Sequence, residues 1–209
     1  MHVAYSPSAV PARAPRALTA LARDSGAQTS LRRTPVKVLK LNSRDLQWLP
    51  ALADLLIDSV HQGASLGFLA PLSRYAALDY WHGVYAKLGQ HHSLWIASED
   101  EGHGPLQGAV QLSLCPQANA HHRGEVQRLM VHSHERGRGI ASQLMSRVEC
   151  EAISQGRHLL VLDAPADSQA EAVYQHLGWQ RAGEIPDYMS CAEGRLHSSA
   201  LMYKRLPGR

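Results

Sequence analysis

The chain has 209 residues, 44% of them hydrophobic and 19% charged, with a formal net charge of +3, enough for one buried core and one domain of common size. No run of about 18 apolar residues exists, which excludes a membrane-spanning helix, and no continuous apolar N-terminal stretch marks a secretory signal, so a cytoplasmic protein is expected. The positive charge is local: residues 1–38 hold Arg13, Arg16, Arg23, Arg32, Arg33 and Lys37 against Asp24 alone, leaving the remainder at net −2, without the surplus that nucleic-acid binding requires.

Residues 1–34 are rich in Ala, Pro, Ser and Arg and lack sustained periodicity, so a disordered basic arm is expected ahead of a single domain over residues 35–209. An Arg-rich, acid-poor start also resembles an organelle transit peptide. Residues 35–41 alternate as a first strand. Asn42 then offers a helix cap before Leu46, Leu49, Leu52, Leu56 and Val60 at helical spacing, with Pro50 in the first turns or bending the helix. The apolar, glycine-containing loop over residues 61–71 either lines a substrate pocket or is an ordinary connector whose Phe68 and Leu69 plug the core. A second helix presents Leu78, Trp81, Tyr85 and Leu88 on one face.

Residues 93–97 and 106–115 read as a hairpin joined by a Gly/Pro turn at 101–105, with Val110, Leu112 and Leu114 inward. Residues 125–131 form the next strand, and a helix over 137–155 carries Ile140, Leu144 and Val148 on one side. The short apolar run 159–163 is of the kind buried on both faces in a parallel pair. A helix over 170–177 ends at Gly178, and closing strands cover 179–184 and 196–206. This order gives an α/β domain with a mixed sheet.

The most informative stretch is Arg136-Gly137-Arg138-Gly139-Ile140-Ala141, directly after the apolar Leu129-Met130-Val131: a strand running into a helix start. Two glycines let the backbone approach a pyrophosphate, the helix N-terminus offers unpaired N–H groups, and two arginines add positive charge. A nucleotide-binding P-loop is disfavoured because no G-K-[ST] follows the glycines. Cys115, Cys150 and Cys191 are odd in number and far apart, so reduced, buried thiols are expected rather than disulfides or zinc ligands. Of the 13 histidines the closest pairs are His91-His92, His121-His122 and His132-x-His134, without companion Cys or carboxylate spacing, so no metal is expected.

Residues 129–141 resemble the acetyl-CoA motif of the GNAT superfamily of N-acetyltransferases, whose R-x-x-G-x-A pattern is filled by Arg136, Gly139 and Ala141. A second element at the expected distance, Ala170-x-x-x-Tyr174-x-x-x-Gly178-Trp179, resembles the closing helix of that family, whose tyrosine sits beside the coenzyme sulfur. Residues 61–68, 109–115, 125–131 and 194–197 further resemble the tabtoxin-resistance branch, which acetylates a small β-lactam amino acid. The resemblance runs over residues 36–206. It departs at Asp167, where many members carry Asn, and at Ser133, where Pro is frequent.

The resemblance implies a GNAT fold, with a mostly antiparallel sheet, a splayed parallel pair of central strands and flanking helices. It implies acetyl-CoA as co-substrate, wedged between residues 129–131 and 159–163, with backbone donors of Leu129, Met130 and Val131 on the pantetheine arm and thioester. The pyrophosphate falls to Arg136, Gly137, Arg138, Gly139, Ile140 and Ala141, Arg138 being less critical than the glycines. Tyr174, a phenol of ordinary pKa about 10, would protonate the departing thiolate. Glu125 or Asp163 would take a proton from the acceptor ammonium, directly or through water, or bind it. Arg195 and His197 are candidates for an acceptor carboxylate. The acceptor expected is the amine of a small, amino acid-like molecule, toxin or antibiotic, and the enzyme a monomer or homodimer, its specificity set by residues 63–70, the second helix and residues 186–188. A protein or peptide acetyltransferase and a non-catalytic acyl-CoA-sensing module are the alternatives.

Overall fold

The structure, a computed structural model, describes residues 36–99 and 104–208; the arm expected over residues 1–34 and most of the turn at 101–105 lie outside the described residues. Seven strands, β1 (Lys37–Leu41), β2 (His92–Ser98), β3 (Leu106–Leu114), β4 (Arg123–Val131), β5 (Leu159–Pro165), β6 (Gln180–Ser190) and β7 (Leu196–Arg205), form one sheet in the order β1-β2-β3-β4-β5-β7-β6. Neighbours are antiparallel except β4 and β5, the expected parallel pair. The helices are α1 (Leu49–His61), α2 (Arg74–Tyr85), α3 (Ile140–Ser154) and α4 (Gln169–His176).

Strand alternation divides the core into two layers. On one face Leu94, Ile96, Ala109 and Met130 meet Leu52, Leu55, Leu56 and Trp81 of α1 and α2. On the other, Val110, Leu112, Leu114, Val126, Leu160 and Leu162 meet Ile140, Leu144 and Val148 of α3. Each fully buried Leu or Ile contributes about 1.5–3 kcal/mol. No helix among the described residues is long and apolar enough to cross a membrane.

Several local expectations are corrected. Asn42 does not cap α1: its Oδ1 accepts from the Arg44 N–H and its own N–H donates to Asp45, closing a turn before a short 3-10 segment, Leu46–Trp48. Pro50 lies in the first turn of α1, where its missing N–H costs no helical bond. Leu88 falls beyond the end of α2. β5 is buried on one face only: Leu160, Leu162 and Ala164 point into the α3 layer while Asp163 is exposed. Residues 186–188 are not a separate segment but a bulge within β6, where the pairing with β7 shifts between Ile185 and Met189 and Asp187 has a φ of 54°. The cysteines are free but not buried; Cys150 is exposed and the other two are half-buried.

Candidate active site

β4 and β5 pair only where Arg123, Gly124 and Glu125 meet Leu159, Leu160 and Val161. Beyond that rung the strands part, so the opening lies between residues 126–131 and 162–165, further along β5 than the sequence placed it. Residues 159–161, expected to flank it, belong to the ladder. β4 is also bulged: Gln111 faces Gln127 but Ala109 faces Met130, and Arg128 has a φ of 52°. The extra residue inverts the alternation. Val126 faces the α3 layer, Met130 the α1–α2 layer, and Leu129 and Val131 turn back to α3. Gly108 permits the bulge, since a Cβ there would stand 2.8 Å from the Met130 carbonyl oxygen and 3.1 Å from Leu144.

After β4, a 3-10 turn at Ser133–Glu135 leads to Gly137 and Gly139, with φ of 75° and 74°. Gly139 caps α3 without a side-chain acceptor, so backbone N–H groups of the first turn of α3 remain free for an anion. The loop fits a pyrophosphate. Its two arginines differ: Arg136 is exposed and makes no ion pair among the described residues, whereas Arg138 is held by Glu135 and, at 3.1 Å, by Glu99. Arg138 therefore braces the loop rather than reaching outward.

Ser133, the departure from the family's proline, ties this loop to α1: its N–H and Oγ each donate to the Asp58 carboxylate at 2.8 Å. Burial raises the Asp58 pKa, but the two Ser133 hydrogen bonds and the charges of His132 and Arg136 outweigh it and hold the carboxyl below its ordinary value. Ser133→Ala should cost about 1 kcal/mol, a fall in Tm of about 2–4 °C. A depressed carboxylate stabilises fully above its unfolded pKa of about 3.9 and loses that contribution as pH falls through the folded value. The deficit of the variant is therefore expected at pH 7 and should shrink below about pH 4, as thermal melts across pH would show.

α4 is built by its own sequence. Ser168 caps it by accepting from the Glu171 N–H at 3.2 Å, buried Glu171 reaches back to the Asp167 N–H at 2.7 Å, and Gly178 with a φ of 84° ends it. Asp167 itself has a φ of 55°, a left-handed conformation that Asn and Asp share, so the departure from Asn leaves the backbone intact. The Tyr174 ring lies half-buried, 5.9 Å from that of Trp179. Burial, reinforced by the Asp163 charge, drives its phenol far above the ordinary value. Asp163 accepts from Ser199 Oγ at 3.3 Å, and Glu125 accepts from Gln127 at 2.8 Å. Because Glu125 is in register with Val161, both carboxylates stand on one sheet face, Asp163 in the open stretch and Glu125 at the last paired rung.

That face adjoins a cavity of about 380 Å³ between residues 60–70 and the β6–β7 hairpin, whose walls include Gly63, Phe68, Leu69, Met189, Glu193 and His197. Ser65 Oγ contacts Met189 Sδ at 2.7 Å across it. In the loop Leu66 is buried, Phe68 packs edge-on to Tyr80 at 5.2 Å while bordering the cavity, and Leu69, which also borders it, is 51% exposed and plugs nothing. A second hollow, about 590 Å³, lies between β1 and the outer side of α3 and is lined by Lys37, Ser142, Gln143, Ser146 and Arg147, without a carboxylate or phenol for acyl transfer. Arg195 faces solvent beside Glu193, 4.0 Å away, leaving only His197 of that pair at the cavity. Among the histidine pairs, His92 turns to Gln111, His122 stacks on His158, and His132 stacks on His134.

Sequence reasoning missed three residues here. Gln111 donates to the Tyr80 hydroxyl at 2.8 Å, and the Arg128 guanidinium lies over the Tyr80 ring, 6.0 Å from its centroid. The available signal was Arg128 itself, a charge in phase with Val126 and Met130, which strict alternation would send into the core.

The family described as Acetyltransferase (GNAT) family matches residues 49–179. Solved structures with the same fold include a chain from Salmonella typhimurium described as an acetyltransferase with its cofactor acetyl-CoA (19% identity, 84% of this chain and 96% of that one, TM-score 0.65). A ribosomal-protein-alanine N-acetyltransferase from Brucella melitensis superimposes over 81% of this chain and 99% of that one (20% identity, TM-score 0.62). A chain described as a phosphinothricin N-acetyltransferase does so over 83% and 99% (14% identity, TM-score 0.67).

Proposed function

We propose, for a chain that belongs to the acetyltransferase (GNAT) family and is accordingly an acyltransferase dependent on acetyl-CoA, that the acceptor is the amine of a small, amino acid-like molecule. The observation that carries this is the cavity: at about 380 Å³ it lies in the range of small-ligand sites, and the Ser65–Met189 contact spans it, narrowing the path a continuing peptide would take. Within that class we favour an amino acid-like toxin or antibiotic, a reading supported by the likeness to the tabtoxin-resistance branch and by the neighbour described as a phosphinothricin N-acetyltransferase. The enzyme would act as a monomer or homodimer in the cytoplasm.

Acetyl-CoA, when bound, supplies the activated acetyl thioester. The residues that would hold it are Leu129, Met130 and Val131 past the bulge, where β4 has left β5, and Arg136, Gly137, Gly139, Ile140 and Ala141 at the head of α3. Arg138 serves the same site indirectly, by fixing the loop to Glu99 and Glu135. Asp163 and Glu125 would receive the acceptor ammonium and relay its proton to solvent. Tyr174 would donate its phenolic proton to the departing sulfur. An ammonium settling beside Asp163 also offsets the smaller of the two causes that raise the phenol, burial being the larger.

The test is an arrayed acetylation assay, with free amino acids, aminoglycoside-type amines and short peptides as acceptors and thiol release as the readout. Turnover is expected with amino acid-like acceptors and to be at least tenfold weaker with peptides, because a chain continuing past the amine would have to displace the Ser65–Met189 contact. Preferred turnover of peptides would favour a protein acetyltransferase. Coenzyme binding without thiol release for any acceptor would favour a sensing module.

A further inference from the structure

We infer that Arg128 is the carboxylate-binding residue of the acceptor site, an assignment that rests on the amino acid-like acceptor proposed above and gives its second anchoring point. Its guanidinium is half-buried, its Nε is fully buried without a hydrogen-bond partner, and no carboxylate lies within ion-pair distance among the described residues. Arginine cannot shed its proton to escape that condition. A half-buried cation whose Nε is shut off from solvent, with no anion beside it, has room in its set of partners for a ligand carboxylate.

The side chain is aimed, not stray. Arg128 occupies the β4 bulge with a φ of 52°, which turns it out of the apolar phase of the strand toward the α1–α2 side of the sheet. There its guanidinium lies over the Tyr80 ring, which is held by Phe68 at 5.2 Å and whose hydroxyl is held by Gln111 at 2.8 Å. Gly67 leaves room for it: a Cβ at that position would stand 3.0 Å from Arg128 Nη2. Phe68 also borders the acceptor cavity, and Glu125 and Gln127 precede Arg128 on the same strand. A planar fork over an aromatic ring, linked to the cavity through Phe68, is suited to bidentate binding of a carboxylate. Arg157, the other arginine among the described residues with unpartnered buried nitrogens, follows the C-terminal end of α3, at the opposite end of that helix from the glycine loop.

An α-amino acid entering this site would place its carboxylate on Arg128 and its ammonium toward Glu125 and Asp163. Two opposite charges would then fix which amine reaches the thioester.

The experiment compares each amino acid acceptor with its decarboxylated amine, using wild type, Arg128→Gln and Arg128→Lys. Wild type should prefer the amino acid by about 100-fold in kcat/KM. In Arg128→Gln that ratio should collapse toward one, chiefly through KM, while Arg128→Lys keeps part of it because the charge remains and the fork is lost. Tm and calorimetric coenzyme A affinity report folding, and if the Gln variant does not fold, the wild-type ratio together with the Lys variant decides. Equal wild-type rates for the two members of each pair, or an unaltered ratio in the variants, would overturn the assignment of Arg128 alone. Absence of turnover with both members of every pair would overturn it together with the small-amine reading.

Discussion

Tyr174→Phe should lower kcat by roughly 100-fold or more while leaving coenzyme A affinity within about threefold of wild type. The ring packs beside Trp179 and against the α3 layer, and phenylalanine fills the same space. The hydroxyl makes no hydrogen bond among the described residues, so its loss strands no buried partner and should leave Tm nearly unchanged. A drop in Tm parallel to the drop in rate would instead mark a packing residue. The pH profile gives an independent check. Burial and the Asp163 charge raise the phenol, and a raised pKa keeps the proton in place as pH climbs. Wild-type kcat should therefore show no alkaline decline assignable to Tyr174 below about pH 10, and Asp163→Asn, which removes the second cause, should lower the pH at which any such decline begins. Unaltered turnover in Tyr174→Phe would remove it from the chemistry.

Much of the scaffold could be read from periodicity because burial there is one-sided. Ile140, Leu144 and Val148 mark the inner face of α3, and Val110, Leu112 and Leu114 the inner face of β3, and all six are buried as expected. The turn into α3 was legible because two glycines at a strand-to-helix junction mark backbone that needs positive φ, as Gly137 and Gly139 have. What escaped depends on events that alternation cannot register. The bulge at Arg128 exchanges the faces of every later residue in β4, so a charge that looked misplaced lies over the Tyr80 ring on the α1–α2 side of the sheet. β5 looked doubly buried because its apolar run is short, yet parting from β4 leaves one of its faces to the site, which is why Asp163 is exposed. Arg136 and Arg138 are equivalent in a motif, and only the positions of Glu99 and Glu135, one of them far off in sequence, separate an outward cation from a structural one.

That separation, together with the glycine conformations, leads to the other large expected effect: Gly139→Val should weaken coenzyme A binding by about 100-fold. Gly139 has a φ of 74°, a region that costs an L-residue about 1–2 kcal/mol and a β-branched one more, although a Cβ there meets no atom within 4 Å. The strain is thus conformational. It relaxes only if the loop turns its N–H groups away from the direction that a pyrophosphate needs, and each charge-assisted hydrogen bond forfeited is worth about 1.5–3 kcal/mol. Gly156 provides the control, since it has a φ of 72°, also has no atom within 4 Å of its Cβ position, and closes the opposite end of the same helix. Gly156→Val should lower Tm by a similar few degrees and leave coenzyme affinity within about twofold, because the same strain is then stored far from the anion. Arg136→Gln should weaken binding by about tenfold with little change in Tm, and Arg138→Gln should lower Tm first, since its two carboxylate partners would lose their cation and keep only the Gln107 amide between them. Calorimetry with coenzyme A and thermal melts on the four variants would discriminate. Equal affinity in the Gly139 and Gly156 variants would mean that the head of α3 does not carry the pyrophosphate.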